Sequence, residues 1–231
     1  AGWKGGGTST VTGYLLATDA IEIDTTGGAD SVAIKATANP ITVNAAATST
    51  GIAISSNGVT LTGTLDTIQA PINVVAVSGS VGLVVSDASG TDNSNVSIVG
   101  AVNVTTVSGF APVDISFSGA FAAVRLIGRG TGSGQSFTFD SVASPVRLDA
   151  GNAAGNIVTV NGSTALLTIN GGNNGNTFSV LGDAVANLTG GYGADVFYVA
   201  PGVTLTGSIH GRNGGDTFDI QGVVTGGVYV F

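Results

Sequence analysis

The segments Asn156-Ile-Val-Thr-Val160, Asn176-Thr-Phe-Ser-Val180, Asp195-Val-Phe-Tyr-Val199 and Asp216-Thr-Phe-Asp-Ile220 are variants of one unit: a polar starter, then apolar residues two and four positions on. The register extends back through Gln135, Val113, Ser94, Asn73, Thr50 and Asp30, with 19 to 23 residues between successive starters. The second position reads Val32, Ile52, Val75, Val96, Ile115, Phe137, Val158, Phe178, Phe197 and Phe218, and the fourth is also large and apolar in every repeat. Alternation with period 2 marks a strand with one buried face. Its return at a fixed interval marks a stack of like units.

Further alternating stretches follow about ten residues after the starters, among them Ile41-Thr-Val43, Val59-Thr-Leu61, Val102-Asn-Val104, Val124-Arg-Leu126, Val146-Arg-Leu148, Leu167-Thr-Ile169 and Val203-Thr-Leu205. Each repeat therefore holds two strands or more, separated by Gly, Asn, Asp and Ser turns. A unit of ~20 residues cannot bury both apolar faces alone, whereas stacked units shield one another. The expected fold is all-β, a parallel β-solenoid (β-helix) of about ten to eleven coils with roughly 20 residues per coil. It forms one domain over residues 18–231 behind an N-terminal segment at 1–17. An antiparallel sandwich is the competing fold, but it predicts alternation without a shared phase.

Composition narrows the function. Charged residues make up 9% of the chain, against about 25% on average, and Glu22 is the sole glutamate. Helices draw on Glu, Lys, Gln and Arg, so a helical enzyme is excluded. The positive mean hydropathy excludes disorder. A net charge of -8 with six scattered Lys and Arg argues against nucleic acid. Apolar runs such as Ile72 to Val77 fall short of the ~18 to 20 residues of a membrane helix, so no membrane span is expected. With no cysteine, disulfides and thiolate metal sites are excluded. The start at Ala1, with neither an initiator Met nor an apolar signal stretch, suits a processed, exported protein. The expected location is extracellular or at the cell surface.

The turns before the starters grow richest in glycine near the end of the chain. Gly190-Gly191-Tyr192-Gly193-Ala194-Asp195-Val196-Phe197-Tyr198 satisfies the pattern G-G-x-G-x-D-x-U-x, and Gly211-Arg212-Asn213-Gly214-Gly215-Asp216-Thr217-Phe218 departs from it at Arg212. Gly171 to Asn176 is looser and carries Asn for Asp. Over about 60 residues this region resembles the RTX, haemolysin-type repeat family. The resemblance implies a Ca²⁺ cofactor shared between stacked turns, with Asp195 and Asp216 as ligands and Gly190, Gly193, Gly211 and Gly214 shaping the turns. The family repeats its motif every nine residues, whereas here it occurs once per coil. The alternative is a metal-free ladder in which Asn and Asp side chains cap turn backbone groups, and the neutral Asn156 and Asn176 favour it.

Catalytic constellations are sparse, and no enzyme activity is expected. Arg125 and Arg147 fall at equivalent places in their repeats and should stack, with Asp149 beside them. A carbohydrate-active β-helix enzyme is the alternative this cluster offers, but the second acid needed for acid/base work is missing. His210, the only histidine, is expected in a turn. No polar cap is evident, and Gly227-Val228-Tyr229-Val230-Phe231 reads as an apolar terminal strand. The functional expectation is an extracellular structural or adhesive solenoid, a subunit or module of a filament, sheath, S-layer or adhesin. Its expected partners are further copies of itself in a homopolymer or lattice, and surface glycans. A calcium-dependent RTX-type module is the other alternative.

Overall fold

The computed structural model describes residues 2–4, 19–91 and 94–230. The expected N-terminal segment 1–17 therefore lies mostly outside the described residues. Its strand β1 (Gly2–Lys4) pairs in parallel with β2 (Ile21–Thr25). Two sheets then grow together as the chain winds, one of twelve strands and one of eleven in which the last two winds contribute split strands.

Sheet A receives β2, β4 (Ile41–Ala45) and β6 (Ile72–Ala76), while sheet B receives β3 (Ala29–Ile34), β5 (Ser49–Ile54) and β7 (Ser80–Ser86). The regularity then breaks. From β7 the chain crosses to lay down β8 (Asn95–Ala101), turns back as the antiparallel β9 (Val104–Ser108), and only then fills the gap beside β6 with β10 (Ile115–Gly119). Strand β11 (Ala123–Ile127) joins β7 in sheet B, and β12 (Ser136–Asp140) joins β8 in sheet A.

From there each wind sits on the last. Sheet A continues with β14 (Ile157–Val160), β16 (Thr177–Val180), β18 (Val196–Val199) and β21 (Thr217–Ile220). Sheet B continues with β13 (Val146–Asp149), β15 (Ser163–Asn170) and β17 (Ala184–Gly191). It closes with the split pairs β19 (Thr204–Thr206) and β20 (Ile209–Arg212), then β22 (Val223–Val224) and β23 (Val228–Val230). The molecule is thus an all-β parallel solenoid. Among the described residues the repeats resolve into nine winds and one inserted hairpin, where ten to eleven coils are expected from the sequence.

The core lies between the two sheets. Phe137, Phe139, Val158, Val160, Phe178, Val180, Phe197 and Val199 of sheet A are all buried, as are Leu148, Leu167, Ile169, Leu188 and Leu205 of sheet B. Successive winds pair residue for residue, Val158 with Phe178, Phe178 with Phe197 and Phe197 with Phe218. The last three rings therefore stack face to face, with centroids 4.7 and 5.1 Å apart and planes within 8°. That separation is set by the backbone, because strand spacing is about 4.8 Å.

Three readings of the repeat are corrected at the N-terminal end. Asp30 and Thr50 start strands of sheet B, whereas the later starters precede sheet A. In the repeat from Asn73 the phase is off by one: Ile72, Val74 and Ala76 face inward, Val75 is half-buried and Val77 is 58% exposed. Val59 and Thr60 belong to a 3-10 turn, Gly58–Thr60, and Val102 and Asn103 form the tip of the β8–β9 hairpin.

Phe197 is fully buried between Phe178 and Phe218. Phe197→Ala should destabilise the protein by about 3 to 5 kcal/mol, read as a lower denaturant midpoint. Phe218→Ala, at the half-covered end of the stack, should lose less.

Candidate functional site

The glycine-rich turns carry chain from sheet B to the next strand of sheet A, and their starters form a side-chain ladder inside the solenoid. Gln135 Oε1 accepts the Arg129 N–H at 2.8 Å, and Asn156 Oδ1 accepts the Gln135 N–H at 3.0 Å. Asp195 Oδ1 accepts the Asn176 N–H at 2.8 Å, and Asp216 Oδ1 accepts the Asp195 N–H at 3.0 Å. Each such bond satisfies a backbone donor that the curved turn leaves out of the sheet ladder.

Amide and acid rungs differ at their second atom. Asn156 Nδ2 donates to the carbonyls of Gly151 and Gly171, each at 3.1 Å. Asn176 Nδ2 donates to Asp195 Oδ1 at 2.9 Å and to the Asn174 carbonyl. At Asp195 and Asp216 an oxygen replaces that donor, and Oδ2 of each is buried without a hydrogen-bond partner, as are Asn176 Oδ1 and Gln135 Nε2 among the amide rungs. Burial raises the Asp195 carboxyl above its ordinary pKa; the hydrogen bonds from Asn176 oppose this and the neighbouring Asp216 charge adds to it.

The motif glycines serve close packing more than unusual backbone angles. A Cβ on Gly190 would overlap Asp195 Oδ2 and lie 2.7 Å from the Gly211 carbonyl oxygen, so the carboxyl occupies the space a side chain would need. A Cβ on Gly211 would overlap Asp216 Oδ2 in the same way, and one on Gly193 would overlap the backbone at Gly175. Of Gly190, Gly193, Gly211 and Gly214, only Gly214 has positive φ, at 131°. Arg212, standing where the motif has its second glycine, adopts φ 69°.

The oxygens offered to a cation by this stack are thus the two buried Oδ2 atoms and nearby turn carbonyls. Both Oδ1 atoms are engaged by backbone donors, and calcium takes six to eight oxygens. Among the described residues no group of three or more His, Cys, Asp or Glu side chains converges on a point that could hold a metal ion.

The second cluster lies on the outer face of sheet B. Arg125 and Arg147 are direct neighbours on β11 and β13. Asp149 bridges them, 2.5 Å from Arg125 Nε and 2.9 Å from Arg147 Nη2, and also accepts Asn170 Nδ2 at 2.7 Å. Burial pulls the Asp149 carboxyl upward, but the bonds from Arg147, Asn170 and Arg125 and the charge of Arg125 outweigh it and hold the pKa below the ordinary value. His210 lies in strand β20, where the sequence reading expects a turn. Its ring stacks on Tyr229 at 4.4 Å and its Nε2 lies 3.1 Å from Ser208 Oγ.

Two buried polar residues escape the repeat pattern. Arg129 is fully buried and donates Nη2 to the Ser133 carbonyl at 2.9 Å, and buried Asp87 accepts the Leu65 N–H at 3.1 Å. Both lie beside the break in winding, where Asp87 N–H bonds to Ile127 O and Gly130 N–H to Ala88 O. The sequence signal nearest to them is Arg129 set between Gly128 and Gly130.

Comparison with protein-family models, curated proteins and solved structures finds no match. No helix among the described residues is long and apolar enough to cross a membrane.

Asp195→Asn places at this rung the amide already present at 156 and 176. A folded-state pKa raised above the unfolded value gives stability that is complete below the unfolded pKa and lost as pH rises through the folded one. In metal-free buffer the wild type should therefore lose this contribution between acid and neutral pH while the variant does not. At pH 7 Asp195→Asn should be about 1 kcal/mol more stable than wild type. Denaturant melts across pH in EDTA read both effects.

Proposed function

We propose that this chain is a structural, self-associating β-solenoid that works outside the cell or at its surface, adding its terminal strands to another coil. The observation that carries this reading is the last wind. Among the described residues no strand pairs beyond β21 in sheet A or beyond β22 and β23 in sheet B. Val223, Tyr229 and Val230 are exposed there, and Phe218 is only partly buried. Edges of this kind template further pairing.

The outer faces support a scaffold over a catalyst. Most side chains on the outer face of sheet A are small, including Ser97, Thr138, Thr159 and Ser179. In the Arg125, Arg147 and Asp149 cluster the single carboxylate is already held by both guanidiniums, so it is poorly placed as a base for glycan cleavage.

Replacing Val223 and Val230 by Lys puts charge on exposed edge positions without touching the core. The wild type should form elongated particles as concentration rises, seen by light scattering and negative-stain microscopy, and the Val223→Lys, Val230→Lys variant should stay monodisperse. Wild-type monomers at high concentration would overturn the reading.

Calcium binding at the Asp195 and Asp216 turns is the second reading, favoured by the two unpartnered buried Oδ2 atoms. It predicts that Ca²⁺ raises the melting temperature of the wild type at pH 7, that EDTA reverses the rise, and that Asp195→Asn abolishes it. A melt indifferent to both additions would exclude it.

A further inference from the structure

The two outer faces carry opposite charge. Sheet A presents Glu22 and Asp24 from β2, Asp140 from β12 and Asp219 from β21, and in its strands from β2 to β21 no outward side chain is basic. Sheet B presents Arg125, Arg147 and Arg212 against the single acid Asp149. The other acid in its strands, Asp30, shares the inward phase of Val32 and Ile34. A chain of net charge -8 thus gathers half of its six basic residues on one flat face.

The placement is also in step along the stack. Asp140 ends β12 and Arg147 is the second residue of β13, so the two flank the same turn on opposite outer faces of one wind. Displacing a second molecule along the normal to the sheets brings the Arg147 of one towards the Asp140 of the other. Neither group is fully spent within its own chain. Arg147 is 52% exposed in its side chain, and Arg125, 41% exposed, uses only Nε on Asp149. Asp140 accepts only the neighbouring Ser141 hydroxyl.

Apolar groups lie among the charges, with Ile157 46% and Val196 40% exposed on sheet A. At ordinary strand dimensions the sheet A face is about 50 Å long, the sheet B face about 40 Å, and each is about 15 Å wide. Covering one face with another buries ~600 Å² a side, at the lower end of stable protein pairs.

We propose that the sheet B face of one molecule docks on the sheet A face of a second copy, so that molecules stack side by side as well as end to end. This rests on the self-associating reading above and adds a lateral direction to it. The contact joins two different surfaces by translation, so it does not close and builds layers.

Charge exchange tests it. The background is the Val223→Lys, Val230→Lys variant, so that joining through the terminal strands does not enter. Sedimentation velocity at about 0.02 M salt should show association that weakens as salt approaches about 0.5 M. Arg147→Glu alone and Asp140→Lys alone should each weaken it at least tenfold, and mixing the two variants should restore it. Arg147→Gln, which leaves Arg125 on Asp149, replaces Arg147→Glu in the single-variant test if that protein melts early. Folded single variants that associate like their parent, or a mixture that stays monomeric, would overturn the proposal. So would polygalacturonate binding that Arg147→Glu abolishes while association is unchanged, since the arginine face would then belong to an acidic glycan. Growth along the axis by Asp140→Lys in the unblocked chain would show that end joining survives independently.

Discussion

Parallel in-register hydrogen bonding between winds is the constraint from which the rest follows. As Phe178 lies on Phe197 and Phe197 on Phe218, an inward residue in a parallel pair has the inward residue of the next wind as its neighbour at about 4.8 Å. Side chains that tolerate self-stacking are selected: rings lie flat, β-branched residues pack in columns, and carboxamides can donate to one rung and accept from the next. Charges do not tolerate it, since like charges directly opposite are destabilising. The low charge content is therefore a property of the winding. Arg125 over Arg147 is one exception, with Asp149 between them as the counter-charge, and the Asp195 and Asp216 turns are another.

The break after β7 shows what holds the chain when that ladder stops. Between β6 and β12 sheet A contains β10, β9 and β8, whereas sheet B contains only β11 between β7 and β13. Sheet A is longer there by two strand spacings, ~10 Å. Loops and isolated side chains fill the difference: Leu65, Ile68 and Phe110 are buried, and Phe110 meets Phe137 edge to face at 6.1 Å. Arg129 and Asp87 supply polar contacts to backbone groups in the same region. A buried arginine bonded only to a carbonyl is poor for stability, but it fixes one path for a chain that has left its repeat.

The winding was legible because strands with one buried face must alternate, and because from Gln135 onward the starters return every 19 to 21 residues and each sheet A strand has 4 or 5 residues. The phase at the N-terminal end was not. Both sheets alternate alike, so Val32 and Ile34 of sheet B read no differently from Phe137 and Phe139 of sheet A. In Ile72-Asn-Val-Val-Ala76 apolar residues occupy both phases, and Val75 competes with Val74 for the inward place. The β8–β9 hairpin kept the interval near 20 residues, so counting could not reveal its reversed strand. The arginine pair was legible from spacing alone. The charge difference between the faces required knowing which strands share a sheet.

The ladder explains why its middle rung at Asn156 differs chemically from those at Asp195 and Asp216. Asn156 serves the turn as a neutral rung, its amide feeding carbonyls that would otherwise be buried without a donor. Replacing the amide by acid, as at Asp195 and Asp216, keeps the acceptor that caps the neighbouring N–H and deletes the donor. The buried Asp195 carboxyl then has a second carboxylate one wind away, whose charge adds to the burial that raises its pKa. Something positive must enter beside Asp195 Oδ2, whether a proton or a metal ion, for that rung to be as well satisfied as Asn156. The rung at Asp195 therefore depends on solution conditions, and it opens the strand β18 that carries the edge strand β21, so whatever neutralises it also firms the edge on which another coil would add.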